Sequence, residues 1–145
     1  MKKTVFFIKI IIIYSLTFLQ SFAQTSSFFD EGVKLFNNNE IEKSKIFFQK
    51  DIVLNPKSEK SYLYLSKIFE KNNNDDEQEI NLKNVLLINP KNDEAIYKLT
   101  ILKIKQSDYK YARKLINDFS LVCESFCIKK DEMEEKLKKI LPEDE

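Results

Sequence analysis

At 145 residues, with 24 basic and 23 acidic side chains, the chain has the length of a single domain and almost no net charge. It contains no histidine and one glycine, Gly32. That removes the commonest general base and metal ligand and every glycine-rich phosphate loop, and it leaves too few positive-φ positions for a sheet-rich fold.

Met1-Lys2-Lys3, an apolar run from Val5 to Phe18, and the small residues Ser21 and Ala23 have the layout of a secretory signal peptide cut after Ala23. Lys9 limits the longest charge-free stretch to Ile10–Leu19, short of the about 20 apolar residues a spanning helix needs. An uncleaved signal-anchor is the alternative. The reading is an exported protein, periplasmic or secreted, with no membrane part after cleavage. Loss of residues 1–23 removes Lys2, Lys3 and Lys9 and no acid, so the mature chain holds 21 bases against 23 acids. A single arginine, Arg113, and the absence of a basic run speak against a nucleic-acid partner.

Helical spacing begins with Phe28, Phe29, Val33, Leu35 and Phe36, after a Ser27/Asp30 capping pair. Asn37-Asn38-Asn39 interrupts it, because asparagine competes for helix hydrogen bonds. Ile41, Phe47, Phe48, Ile52 and Leu54 form the next stripe, stopped by Pro56. Tyr62, Leu65, Ile68 and Phe69, an Asn72–Asp76 turn, and Ile80, Leu82, Val85, Leu86 and Ile88 repeat the plan up to Pro90. A third pair runs through Ile96, Leu99, Ile101, Leu102 and Ile104, turns at Ser107-Asp108, and continues through Tyr109, Ala112, Leu115, Ile116, Phe119 and Val122. Glu124 stands where a third proline would fall. Asp131 and Glu134 then cap a last amphipathic helix with Met133, Leu137, Ile140 and Leu141 on its apolar side, ending at Pro142 and an acidic tail.

The hairpins recur at a fixed interval. Leu54-Asn55-Pro56-Lys57 returns as Ile88-Asn89-Pro90-Lys91, and Phe48, Ile52, Leu65 and Ile68 return as Leu82, Leu86, Leu99 and Leu102. A period of this length, about 34 residues, marks a unit that buries its apolar face only by stacking on copies of itself. Gly32, Ser66 and Thr100, and likewise Ser44, Gln78 and Ala112, recur at the same interval. This pattern resembles the tetratricopeptide repeat (TPR). The departures are Glu31, Asp51 and Asp75, where the family favours apolar or small residues, and Lys103, where it has an aromatic. The resemblance implies an all-α solenoid of three helix hairpins over about 25–58, 59–92 and 93–126. A capping helix at 131–141 completes a domain of 24–141 behind the signal peptide.

In that family the first helix of each hairpin lines a concave groove that holds a protein or peptide. Carried onto this chain, the groove positions are Phe29, Val33, Phe36, Leu63, Lys67, Lys71, Tyr97, Ile101, Ile104 and Lys105. They imply a non-enzymatic scaffold for an apolar or mildly acidic peptide, with no cofactor and no metal. Phe29 and Val33 stand where members that grip chaperone carboxylates carry lysine and asparagine, which disfavours that role. The competing reading packs some of these residues against the signal-proximal end, the terminal helix or a second copy of the chain, the last of which gives a homo-oligomer. Cys123 and Cys127 are the only cysteines. In an unbroken helix their Cβ atoms would lie about 5–6 Å apart, against the roughly 3.5–4.5 Å of a disulfide. A bond therefore requires the helix to fray or end between them; buried or free thiols, and redox or soft-metal chemistry, remain the alternatives.

Overall fold

Asn39, Asn73 and Ser107 have positive φ angles of 62°, 52° and 62°, and they stand one repeat apart. The computed structural model describes residues 28–140. At each of these three turns the same two backbone bonds close the preceding helix. Asn39 and Glu40 donate to the carbonyls of Phe36 and Leu35, Asn73 and Asn74 to Glu70 and Phe69, and Ser107 and Asp108 to Ile104 and Lys103, at 2.9–3.1 Å. This pairing ends a helix through one left-handed residue, a conformation that asparagine tolerates better than other side chains do.

Seven helices follow among the described residues: α1 over 28–37, α2 Ile41–Leu54, α3 Glu59–Lys71, α4 Asp75–Ile88, α5 Asp93–Lys105, α6 Tyr109–Val122 and α7 Lys129–Ile140. The segment 1–23 that the sequence reads as a signal peptide, Ser27, Leu141 and the acidic tail 142–145 lie outside the described residues. Asn55 and Asn89 cap α2 and α4 just before their prolines, as the sequence predicts. The side chains of Asn74, Asn92 and Asp108 accept from backbone N–H groups in the first turns of α4, α5 and α6, satisfying donors that a helix start leaves open. Helix α7 starts two residues before the expected Asp131 cap. The backbone N–H groups of Lys129 and Lys130 already bond to the carbonyls of Phe126 and Cys127, at 2.7 and 3.1 Å.

The chain divides into two compact units after Pro56. In the first, α1 meets α2 at Gly32. A Cβ there would lie 2.7 Å from Cε1 of Phe48, whose ring is fully buried. Only glycine lets the ring approach this closely. The Phe29 and Phe48 rings sit 5.9 Å apart, and Phe28 and Phe47 6.1 Å apart.

In the second unit, α3 pairs with α4, α5 with α6, α4 with α5, and α7 packs on both α5 and α6. One core joins Leu82 and Val85 of α4, Ala95, Ile96, Leu99 and Leu102 of α5, Ala112, Leu115, Ile116 and Phe119 of α6, and Met133 and Leu137 of α7. Each fully buried large side chain contributes about 1.5–3 kcal/mol. The small residues of the repeat, Ser44, Ser66 and Thr100, are wholly buried. Each hydroxyl turns back to a carbonyl of its own helix, at 2.7–2.8 Å, so close packing leaves no orphaned group.

Candidate partner-binding surfaces

The first-helix positions divide by environment. On α1, Phe29, Val33 and Phe36 are half-buried. In the second unit Leu63, Tyr97 and Ile101 are half-buried against the core, and Ile104 is a core residue at 7% exposure, not a surface one. The lysines expected at the rim are engaged with acids of neighbouring helices: Lys67 with Glu94 at 2.8 Å and Lys105 with Asp75 at 2.6 Å. Lys98 joins them, paired with Glu70 at 2.6 Å. Lys71 is exposed at the end of α3.

Tyr97 is engaged by the terminal helix. Its hydroxyl donates to Glu132 of α7 at 2.9 Å, its ring lies 6.1 Å from Phe126, and the Lys129 ammonium sits 5.5 Å from its centroid. Burial and this bond raise the Tyr97 pKa. The bonds from Lys129 and Tyr97 hold Glu132 below the usual carboxylate range.

The most exposed large apolar residues of the three hairpins lie elsewhere, on the second helices. Val53 of α2, Leu87 of α4 and Leu121 of α6 are 77, 82 and 84% exposed, and each stands one repeat from the next. Ile46 and Ile80 repeat the pattern one heptad earlier and are also exposed. In the first unit this face forms a shallow groove of about 510 Å³ lined by Phe28, Ile46, Gln49, Lys50, Val53 and Leu54. The Lys50 ammonium lies 5.8 and 5.1 Å from the Phe28 and Phe47 centroids. Ile80, expected in the packing stripe of α4, is instead half exposed at 52%; the signal the sequence held was the return of Ile46 and Val53 as Ile80 and Leu87.

Lys103, the departure from an aromatic, is buried beside Glu79 at 2.6 Å. Its amine also donates to Gln106 at 2.8 Å and lies 5.8 Å from the Tyr111 centroid. Burial alone would raise the pKa of Glu79. The bonds from Lys103 and Lys83 outweigh it and lower the carboxyl to about 2.

Two acids at equivalent positions fasten the loops that follow their hairpins. Glu59, first in α3, accepts from the side-chain amides of Asn89 and Asn92. Asp93, first in α5 and one repeat later, accepts through Oδ2 from the backbone N–H groups of Glu124, Ser125 and Phe126 at 2.9, 2.7 and 2.9 Å. Burial pushes the Asp93 pKa up, but these donors, with the N–H of Glu94, hold it below its ordinary value. The loop that Asp93 grips is closed by a Cys123–Cys127 disulfide, with Cα atoms 5.2 Å apart. Helix α6 ends at Val122, which frees the two cysteines to approach.

Among the described residues no group of three or more His, Cys, Asp or Glu side chains is arranged to hold a metal ion, and no helix is long and apolar enough to cross a membrane. No family model and no curated sequence matches the chain. Solved structures do. An Arabidopsis OM64 TPR domain superposes with a TM-score of 0.72 at 18% identity, covering 81% of this chain and 96% of that one. The Sgt2 TPR domain from Aspergillus fumigatus gives 0.66 at 13%, covering 81% and 79%. The Yersinia enterocolitica type III secretion chaperone SycD, in complex with a peptide of the translocator YopD, gives 0.68 at 11%, covering 79% and 90%. Identities this low speak to fold alone, and the fold of this chain is that of a tetratricopeptide-repeat domain.

Proposed function

We propose that this chain is an exported, non-catalytic tetratricopeptide module that binds a protein partner through apolar side chains. The observation that carries the reading is the recurrence of Val53, Leu87 and Leu121, each more than three-quarters exposed at one register of three successive second helices. Large apolar side chains left in water at a fixed period suit an interaction surface better than a solvated one. The SycD structure, which holds a translocator peptide, supports peptide binding as an occupation of this fold. Lys50, beside the apolar groove on α2, favours a segment that pairs apolar anchors with a carboxylate. The first-helix residues Leu63, Lys67, Lys71, Tyr97 and Ile101 form the competing surface. Export is supported by the layout of residues 1–23, and a disulfide suits an oxidising compartment.

Photo-crosslinking residues placed at Val53, Leu87, Leu63 and Tyr97 in the native cell test the reading. Capture of a partner from Val53, from Leu87 or from each of them is expected. Capture only from Leu63 and Tyr97 moves the surface to the first helices and rejects this assignment.

A second reading rests on the same exposed residues: they close on another copy of the chain. Sedimentation across a wide concentration range, with Val53→Glu and Leu87→Glu variants, separates the two. A strict monomer removes self-association.

A further inference from the structure

Helices α2 and α4 stop at Asn55-Pro56 and Asn89-Pro90, where the proline forbids helical geometry in the residue before it. Helix α6 has no such stop. Residues 123–128 read Cys-Glu-Ser-Phe-Cys-Ile, with neither proline nor glycine, and nothing in their propensity forbids a helix from Tyr109 onward. Two features end α6 instead. The disulfide draws Cys123 and Cys127 closer than an unbroken helix allows. The Asp93 carboxylate collects the three N–H groups of the loop, which a continuous helix would direct to its own carbonyls.

The same loop positions α7. The first two N–H groups of α7 bond to Phe126 and Cys127, Phe126 packs on Tyr97, and Met133 and Leu137 are buried in the shared core with α5 and α6. Cys127 is exposed and Cys123 half-buried against that core.

We propose that the Cys123–Cys127 bond is a reducible latch that keeps α6 and α7 as separate helices, and that opening it lets residues 123–128 join them into one. The reductant is a dithiol. Its thiolate attacks the exposed Cys127 sulfur, Cys123 leaves as a thiolate, and the second thiol of the reductant resolves the mixed disulfide. One S–S bond breaks in the chain and one forms in the reductant, and two electrons and two protons pass to the two cysteines. In the joined helix α7 leaves its seat, uncovering apolar side chains of α5 and α6 that Met133 and Leu137 now cover.

Hydrogen exchange with far-UV circular dichroism, on the purified protein before and after dithiothreitol, tests the latch. Reduction is expected to speed exchange of the amides of residues 129–140 by about tenfold or more, with helicity held or increased and α3 and α4 unchanged. An Ile128→Pro substitution puts a proline stop into the loop while keeping the three N–H groups that Asp93 accepts. In the reduced Ile128→Pro protein the α7 amides are expected to stay as slow as in the oxidised wild type. Unchanged α7 exchange on reduction overturns the proposal. So does faster exchange with loss of helicity, which is fraying, or faster exchange throughout α3 and α4, which is general unfolding.

Discussion

Replacing Glu79 by glutamine leaves Lys103 buried without its carboxylate. The magnitude follows from the lowering of the Glu79 pKa from 4.5 to about 2. At 1.36 kcal/mol per unit, the folded state favours the ionised carboxyl by about 3 kcal/mol, and at 17% side-chain exposure solvent screening removes little of this. Breaking one partner of a buried pair costs about 3–5 kcal/mol by a separate route, so Glu79→Gln is expected to lose about 3 kcal/mol at pH 7. The folded pKa is depressed, so the stabilisation is fully present above the unfolded value near 4.5. It disappears as pH falls through about 2. Urea unfolding at pH 7, 5, 3.5 and 2 should therefore give wild-type and variant curves that are far apart at neutral pH and converge in acid. Glu79→Leu with Lys103→Met, which supplies an apolar pair in place of the ionic one, should recover most of the loss. Equal stabilities at pH 7, or a gap undiminished at pH 2, would refute the reasoning.

Ser107→Asn should stabilise the chain by roughly 0.5–1 kcal/mol, read as a rise in urea midpoint, because serine holds a left-handed position that asparagine tolerates better. Gly32→Ala should destabilise by about 1–2 kcal/mol despite alanine's better helix propensity, since its Cβ meets the buried Phe48 ring. Adding Phe48→Leu should return part of that loss, and no loss in the single variant would show that the ring yields freely. Leu87→Glu and Leu121→Lys should change stability by less than about 0.5 kcal/mol while reducing partner capture, measured by thermal melts beside crosslinking yield. Asp93→Asn should destabilise at pH 7 and cease to differ from wild type in acid. The depressed carboxylate contributes above its unfolded pKa and loses that contribution as pH falls.

The hairpins are legible in the sequence because their punctuation is local. The asparagine turns, the Asn-Pro stops and the return of Phe48 as Leu82 each act within a few positions of themselves. The start of α7 was less legible, since it depends on a loop shaped from outside by Asp93. The lysines of the expected groove show the same limit. Helical period places Lys67 and Lys105 on a face, but it does not say that Glu94 and Asp75, each from the adjacent hairpin, come to meet them. Ile104 carried no mark distinguishing a core position from a groove position; its burial depends on packing around α5. The exposed residues Val53, Leu87 and Leu121 were visible as a periodic set. Their solvent exposure was not, because the same spacing would serve a buried seam.

The clamp formed by Glu59 has a bearing on how this fold lengthens. Its donors, Asn89 and Asn92, lie in the same repeat as the acid itself, and Asp93 likewise finds Glu124, Ser125 and Phe126 within the stretch it opens. A segment cut at Glu59 and Asn92 thus carries both halves of its own fastening. Duplicated in tandem, it is a portable brick, requiring no new joint chemistry from its neighbours.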